Sequence, residues 1–358
     1  MTDVAVWILH ATPADGAGPL ERWVAEEREA IAARHQTGFL AAGAASARVV
    51  AGPPDDTPFG ARLRALVAAE RPGGVVVLGS GSVPLATATD RRAFVEAAAA
   101  GEALALTNNR YSSDIAAIAC AKRLADLPDL AADNALPRWL DEVAGYTVAD
   151  LRRRWRLGID IDGPLDLLLV GRGRRTEDPA IDLARVRDRL AAVATVAADR
   201  RAELVVAGRT SVATLAWLER SVPARVRAFV EERGLRAASR LAQAAGRRPA
   251  RSARPPASVL GILLERDGPA SFGGHLGRLG DAAVVDTRVL LAHRLGPDDA
   301  GWPSPEDRFA ADLLLADRIA DPWLRELTAS AVAAPIPILL GGHTLVGPGL
   351  RLAVGRAP

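Results

Sequence analysis

The chain has 358 residues, of which 49% are hydrophobic and 4% aromatic, and its 45 basic and 43 acidic side chains nearly cancel. This length favours two domains that each bury a core, and the composition excludes a disordered chain. The net charge of +2 does not favour nucleic acid as a partner, and the basic runs carry no interleaved aromatic residues.

Single lysine and cysteine residues exclude several chemistries. Lys122 is the only lysine and Cys120 the only cysteine of the chain. We therefore expect no phosphate-loop or Schiff-base lysine, and neither a disulfide framework nor a cysteine-rich zinc site can form within one chain. The N-terminal segment lacks a basic leader and no apolar stretch reaches the length of a membrane helix, so we expect a cytoplasmic protein without membrane partners.

In the first half, short apolar runs alternate with alanine-rich helical stretches, which is typical of an α/β domain with a mostly parallel sheet and flanking helices. The predicted strands are residues 4–9, 48–50, 75–78, 104–106 and 157–161. The predicted helices are residues 19–34, 59–70, 90–100 and 134–144, together with one that contains Ile115, Ile118 and Leu124. We assign residues 1–172 to this domain.

The second half is richer in predicted helix. Helices are expected at residues 181–200, 211–218, 226–241, 259–264, 307–315 and 322–331, and strands at 204–207, 283–285, 338–340 and 350–354. We assign residues 178–358 to a helix-rich α/β domain whose role the sequence leaves open. It would either cover the site of the first domain or mediate association, including the formation of a homo-oligomer.

An acidic cluster follows the strand predicted at residues 157–161. Asp160, Asp162 and Asp166 surround a Gly163-Pro164 break. Carboxylates gathered at a strand end can hold a divalent cation, and Mg²⁺ usually takes one or two of them plus phosphate oxygens. The same residues also suit a turn in which aspartates cap backbone N–H groups, so this stretch alone leaves both interpretations open.

Three stretches of the first half form a pattern in a particular order. They are VVVLGSGSVPL at residues 75–85, the polar turn Thr107-Asn108-Asn109, and DGPLDL at residues 162–167. Together they resemble nucleotidyltransferases with a GT-A-type nucleotide-binding fold, especially those that act on molybdopterin, phospholactate and sugar-acid substrates. The resemblance is confined to the first half of the chain.

This resemblance implies the transfer of a nucleotidyl group from a nucleoside triphosphate to a phosphorylated small molecule. Asp162 would bind Mg²⁺, Asp160 would support it, and Asp166 would cap the following segment. The residues implied in contacts with the nucleotide or the substrate are Gly79, Ser80, Gly81, Ser82, Thr107 and Asn108. The hypothesis requires Asp162 and Ser82 to face one crevice.

Two departures from the family pattern favour an alternative hypothesis. Ser82 stands where relatives commonly carry an aspartate, and no basic residue precedes Arg22 after the first strand, where relatives carry a glycine-rich loop with Arg and Lys. Nucleotidyl transfer requires the phosphate charge to be neutralised in the transition state. The alternative is a catalytically degenerate protein of the same fold that binds a nucleotide or metabolite or serves as a scaffold.

A third hypothesis starts from the same aspartates. Residues 160–163, DIDG, resemble the opening motif of haloacid-dehalogenase-type phosphatases, in which the first aspartate attacks phosphorus. Asp281 with Asp286 imitates their later acidic motif, and Thr210 or Ser211 could supply their hydroxyl. Their phosphate-clamping lysine has no counterpart, because no lysine follows Lys122.

The histidines offer little metal chemistry, since no pair has the spacing of metal ligands on a helix. His343, in LLGGHTLV at residues 339–346, is expected in a glycine turn between two strands. That turn either presents the imidazole to a ligand or holds a histidine whose hydrogen bonds are satisfied locally.

Overall fold

The computed structural model describes residues 3–171, 181–233 and 256–355. The chain divides into two compact units, one of Met1–Gly16 and Ala25–Ile161, the other of Ala17–Val24 and Asp162–Pro358. Each unit has its own sheet and its own apolar core. The boundary predicted between residues 172 and 178 lies outside the described residues and stays a prediction.

The sheet of the first unit contains six strands. They are β1 (Val4–Ala11), β2 (Ser46–Gly52), β3 (Gly74–Gly79), β4 (Leu104–Thr107), β5 (Ile115–Ile118) and β6 (Thr147–Asp150). Their order is β2-β1-β3-β5-β4-β6, and β5 runs antiparallel to both neighbours while the other pairs are parallel. The helices of this part of the chain are α1 (Pro19–Ala41), α2 (Phe59–Glu70), α3 (Ala88–Ala98) and α4 (Leu136–Glu142).

Burial explains why the central strands form where they do. Val75, Val76, Val77 and Leu78 of β3 are all buried, as expected of a strand that is covered on both faces. Helix α3 begins at a capping box in which Thr87 accepts from the N–H of Asp90 and the Asp90 carboxylate accepts from the N–H of Thr87. Apolar side chains from helix and sheet then close the core of the first unit.

Two predictions about the first half are wrong. Ile115–Ile118 is strand β5 and not part of a helix, because its backbone bonds to β3 and β4, and a short apolar run by itself does not separate a buried strand from a helix. Residues 157–161 do not form a sheet strand, since Trp155–Gly158 is a 3-10 turn. Leu157, Ile159 and Ile161 alternate because all three are buried.

The sheet of the second unit is parallel throughout. Its strands are β7 (Glu203–Gly208), β8 (Arg225–Val230), β9 (Ala282–Asp286) and β10 (Ile338–Gly341), in the order β10-β9-β7-β8. The described helices are α5 (Pro164–Leu169), α6 (Ala184–Ala197), α7 (Val212–Ser221), α8 (Val259–Asp267), α9 (Phe272–Gly277), α10 (Thr287–Leu295), α11 (Pro305–Asp312), α12 (Pro322–Ala333), α13 (His343–Val346) and α14 (Leu350–Val354).

Three predictions about the second half are also wrong. The helix predicted at residues 226–241 begins instead with the edge strand β8, and its residues from 234 onward lie outside the described part of the chain. Residues 350–354 form helix α14 and not a strand, with Ala353 donating its N–H back to Gly349. His343 begins helix α13 and does not sit in a turn between strands.

The predicted α/β class is confirmed, as a mixed six-stranded sheet and a parallel four-stranded sheet that both carry flanking helices. In neither sheet do the described strands follow one another in simple chain order, so the returning connections bring distant segments together. No helix among the described residues combines the length and the apolar character needed to cross a lipid bilayer.

Candidate functional site

Each sheet contains a point where the strand order reverses. In the first unit β1 pairs with β2 on one side and β3 on the other, and in the second unit β7 pairs with β8 and β9 in the same way. Open α/β sheets bind ligands outside the carboxyl ends of their strands at such a switch point. We call the carboxyl ends at β1 and β3 the first edge, and those at β7 and β9 the second edge.

The carboxyl side of the first sheet carries two of the three predicted stretches, together with Asp160. The loop Gly79–Ser82 begins at the last residue of β3. Thr107 ends β4 and Asn108 follows it, and the carboxyl end of β4 lies on the same side as that of β3 because β5 is antiparallel to both strands. Asp160 forms an isolated bridge with Ser82, in which the N–H of Ile161 donates to Gly81 O over 3.1 Å. Gly79–Ser82 and Asp160 therefore lie at the switch point, and Thr107 and Asn108 lie on the same carboxyl side of the sheet, two strands away from β3.

His10 belongs to this edge, although the sequence did not single it out. Its Nδ1 lies 3.0 Å from the hydroxyl oxygen of Ser80, and both side chains are buried. Burial lowers the pKa of His10. The sequence feature that could have identified His10 as a site residue is its position near the end of the first apolar strand. Parallel sheets present side chains to a ligand at the carboxyl ends of their strands.

A second histidine, His35, stabilises the turn at Ser82 by a hydrogen bond to its backbone. Nε2 of His35 donates to the Ser82 carbonyl oxygen over 2.9 Å. Burial lowers the pKa of His35 to about 4, so the ring is neutral at physiological pH. Within the loop, the N–H of Ser80 donates to Leu9 O and the N–H of Ser82 to Gly79 O, which fixes the backbone on both sides of Gly81.

The Asn108 side chain holds its own turn together. Its Nδ2 donates to Asp114 Oδ2 over 2.7 Å and to Leu157 O over 2.9 Å, and its Oδ1 accepts from the N–H of Asp114 over 3.0 Å. Thr107 is fully buried, and its hydroxyl has no hydrogen-bond partner among the described residues. The Asn108 side chain thus already forms hydrogen bonds within the chain, and the substrate contact predicted for it would be formed in addition to these.

A small cavity opens at the first edge. Its volume is about 110 Å³, and its walls come from Leu9 in β1, Val77 in β3 and Ile115 in β5, with Asp114 and Asp133 adding polar groups. Pockets that enclose a complete small ligand usually measure about 300–1,000 Å³. This cavity therefore has room for one part of a ligand.

Asp162 lies in the second unit, whereas Ser82 lies in the first, so a crevice shared by the two stays a prediction. Oδ2 of Asp162 is 3.1 Å from Nδ1 of His343. The capping role predicted for Asp166 is confirmed, because its Oδ2 accepts from the N–H groups of Asp162 and Gly163, each over 2.9 Å. Burial, and then the nearby charges of Asp162 and Asp312, raise the pKa of Asp166 to about 7.

Two ion pairs stand at the second edge. Arg209 directly follows β7 and donates from Nε to Oδ2 of Asp286 over 2.6 Å and from Nη2 to Oδ1 over 3.1 Å. Arg288, in the first turn of α10, donates from Nη1 and Nη2 to the two carboxylate oxygens of Asp312, and both side chains are buried. Burial alone would raise the pKa of Asp286, but the Arg209 guanidinium holds it below its ordinary value.

The backbone of β7 comes unusually close to β9 at this point. Gly208 has a φ of +131°, and a Cβ placed there would lie 2.3 Å from Cβ of Asp286. A left-handed conformation and a close approach both require glycine. Arg209, Arg288 and Asp312 were not predicted as site residues. Only Arg209 had a recognisable sequence feature, since it follows Gly208 directly after an apolar run.

The geometry of β9 also bears on the phosphatase hypothesis. Asp286 ends the strand, whereas Asp281 precedes its first residue and accepts from the N–H of Glu203 over 2.8 Å. The two carboxylates therefore lie at opposite ends of β9 and do not form a single acidic motif.

Within the described ranges, no three His, Cys, Asp or Glu side chains are grouped so as to hold a metal ion. The surroundings of Asp162 fit Mg²⁺ poorly, because an imidazole nitrogen of His343 lies against its Oδ2 and the Asp312 oxygens hold Arg288. Mg²⁺ prefers oxygen ligands in octahedral geometry. Mg²⁺ at Asp162 stays a prediction.

No known protein family matches the chain, and no curated protein shows significant similarity to it. The resemblance to nucleotidyltransferases thus depends on the three sequence stretches alone. Function must be argued from the two edges and their side chains.

Proposed function

We propose that the first unit binds a nucleotide or a phosphorylated metabolite at the first edge, as a nucleotidyltransferase-like protein that has lost part of the transfer machinery. The observation that supports this proposal is that Gly79–Ser82 and Asp160 lie together at the switch point, while Asp114 connects Gly79 to Asn108 on the same carboxyl side of the sheet. These stretches are far apart in the chain, and the carboxyl edge of an α/β sheet is where ligands bind.

Side chains, more than backbone amides, would hold the charged part of this ligand. The N–H groups of Gly79, Ser80 and Ser82 already donate within the chain, so they do not form a phosphate cradle. Arg28 supplies a cation at this edge, since its Nε donates to Ile161 O over 2.7 Å and its charge acts on His10. The cavity walled by Leu9, Val77 and Ile115 would take an apolar portion of the ligand.

A specific observation also favours a second candidate, active nucleotidyl transfer. The backbone bridge places Asp160 beside Ser82. Ser82 occupies the position at which the resembled enzymes carry an aspartate. A neighbouring carboxylate could take over the role that Ser82 cannot fill, because a hydroxyl supplies no negative charge for a metal.

Binding is tested by titrating the full chain with each nucleoside triphosphate and with phosphorylated metabolites, with and without Mg²⁺, by isothermal titration calorimetry. We expect saturable binding that Arg28→Gln weakens about tenfold, because a charged contact to phosphate is lost. Arg48→Gln is the matched control, since Arg48 pairs with Glu70 on the exposed surface of the same unit. Absence of binding to every compound refutes the proposal.

The Mg²⁺ and transfer hypotheses need separate readouts. If Asp162 binds Mg²⁺, Asp162→Asn removes the Mg²⁺ dependence of nucleotide binding; unchanged dependence rejects the assignment. If transfer occurs, pyrophosphate is released with one of the phosphorylated acceptors, and Asp160→Asn stops the release while nucleotide binding persists. No release with any acceptor rejects transfer and leaves the binding proposal standing.

A further inference from the structure

The second edge carries charged side chains that take no part in the ligand binding proposed at the first edge, although Mg²⁺ is predicted separately at one of them, Asp162. They come from the loop before α5 and its first turn, the end of β7, the junction of β9 with α10, the end of α11 and the start of α13. The residues are Asp162, Asp166, Arg209, Asp286, Arg288, Asp312 and His343. Five segments that are distant in sequence thus place polar groups at the switch point of a parallel sheet. That is the position at which such sheets bind ligands.

Buried ion pairs keep this arrangement rigid. Arg288 and Asp312 are 7% and 2% exposed, and the paired hydrogen bonds between them leave little freedom of rotation. Gly208 brings the end of β7 against Asp286, so Arg209 is anchored directly over β9. Side chains locked by their neighbours are what a precise binding site requires.

Three side chains of the cluster reach the surface. The exposed fractions are 43% for Asp162, 31% for His343 and 20% for Arg209. The contact between Asp162 and Nδ1 of His343 fixes the orientation of the imidazole ring. A carboxylate, an imidazole and a guanidinium group are therefore presented together by one unit, and the charge of Asp162 acts on Arg209.

We propose that the second edge is a separate binding site for a sugar phosphate, with Arg209 and His343 contacting the phosphate and Asp162 accepting hydrogen bonds from sugar hydroxyls. Guanidinium groups recognise phosphate, and carboxylates at the edge of α/β sheets accept from sugar hydroxyls. Because aspartates outnumber arginines in this cluster, a bare phosphate ion is disfavoured. A ligand that also offers hydroxyl donors gains from Asp162.

The five histidines of the chain are natural reporters for a titration followed by NMR of the imidazole Cε1–H resonances. The full chain is titrated with ribose 5-phosphate and a panel of other pentose and hexose monophosphates at constant pH. The His343 resonance, assigned by its loss in His343→Gln, is expected to shift saturably. The His275 resonance is the internal control and should not move, because His275 forms a similar pair with Asp267 over 2.8 Å elsewhere in the second unit.

Partial ligands test the chemistry of the site. Ribose alone and inorganic phosphate are each expected to bind at least about tenfold more weakly than ribose 5-phosphate, since each keeps only some of the contacts. Equal affinity for inorganic phosphate would overturn the role of Asp162. A shift of His343 with an α-amino acid such as glutamate, and not with any sugar phosphate, would overturn the ligand class.

A pair of matched variants tests the residues. Asp162→Asn is expected to weaken sugar phosphate binding about tenfold, and Asp267→Asn to leave it unchanged. Thermal unfolding verifies that each variant folds, and the wild-type titration decides the question if a variant does not. The site is rejected if no sugar phosphate shifts His343 at millimolar concentration. A ligand at the first edge would shift His10 instead, so the two proposals fail separately.

Discussion

The two edges hold polar groups at equivalent topological positions by different means. At the first edge, imidazole and amide side chains form single hydrogen bonds, as His10 does with Ser80 and Asn108 with Asp114. At the second edge, buried ion pairs join Arg209 to Asp286 and Arg288 to Asp312. A neutral hydrogen bond can be removed at modest cost, whereas removal of one member of a buried ion pair leaves an uncompensated charge. The second edge should therefore tolerate single substitutions far less well than the first.

The largest effect is expected at the buried pair of Arg288 with Asp312. Arg288→Ala leaves the Asp312 carboxylate buried without its partner, and we expect the free energy of unfolding to fall by about 3–5 kcal/mol. Denaturant unfolding followed by tryptophan fluorescence measures the loss. Arg227→Ala is the control, because its pair with Glu203 is much more exposed and contributes under about 1 kcal/mol. Equal losses in the two variants would contradict the comparison.

Replacement of both Arg288 and Asp312 tests whether an uncompensated charge causes the loss of stability in Arg288→Ala. Apolar residues of similar volume, as in the double variant Arg288→Met with Asp312→Leu, remove both charges together. We expect it to recover most of the stability lost by Arg288→Ala. A double variant as unstable as the single one would show that packing, and not uncompensated charge, sets the cost.

The next largest effect is expected at Gly208. Alanine there would have both a strained φ and a Cβ placed 2.3 Å from Cβ of Asp286, so we expect Gly208→Ala to cost about 3 kcal/mol or more in the free energy of unfolding. Gly43→Ala separates the two causes, since Gly43 has a φ of +100° but no atom within 4 Å of its added Cβ. It should cost about 1 kcal/mol, and an equal cost at both sites would exclude the contact as a cause.

Asp166 makes the stability of the second unit depend on pH. Its pKa is raised from 3.8 to about 7 in the folded state, so the folded state binds the proton more tightly than the unfolded state does. The resulting stabilisation is present below about pH 4 and is lost as the pH rises towards 7. The charged groups that face Asp166 are Asp162, Asp312, Arg288 and His343.

Thermal unfolding between about pH 5 and pH 8 tests this dependence. The melting temperature of the wild type should fall over this range more steeply than that of Asp166→Asn, which keeps an oxygen to cap the N–H groups of Asp162 and Gly163. Identical slopes in the two proteins would mean that Asp166 does not titrate in this window.

The smallest effect is expected at the first edge. Ser80→Ala removes the partner of His10 Nδ1, and we expect a loss of about 1 kcal/mol in the free energy of unfolding. Ser112→Ala is the control, because its hydroxyl bonds to Asn134 at an exposed position and should contribute less. A loss at Ser80 as large as that at Arg288 would remove the distinction between the two edges.

Sequence patterns located most of the helices and strands, but they assigned the wrong type to some apolar runs. Helix α1 was predicted at residues 19–34 and spans Pro19–Ala41, and β3 was predicted at residues 75–78 and spans Gly74–Gly79. Ile115–Ile118 and Leu350–Val354 received the wrong type. An apolar run of four or five residues has no readable period, so its conformation depends on the backbone partners that it meets.

The same division applies to the candidate sites. The capping role of Asp166 was readable because it involves neighbours three and four residues away. His10, Arg209 and Asp312 were not identified, because each bonds to a partner that is distant in the sequence. No local pattern records which strand end will lie beside which.

The sequence by itself determined the α/β class, the main helices and strands of both halves, and the turn at residues 160–166, since periodicity, glycine and proline positions and capping act over a few residues. The tertiary structure alone decided the strand orders β2-β1-β3-β5-β4-β6 and β10-β9-β7-β8, and hence that His10 meets Ser80 and that Arg209 meets Asp286. Strand order depends on which apolar faces can be buried against each other, and these faces belong to segments that are far apart in the chain. No local segment contains that information.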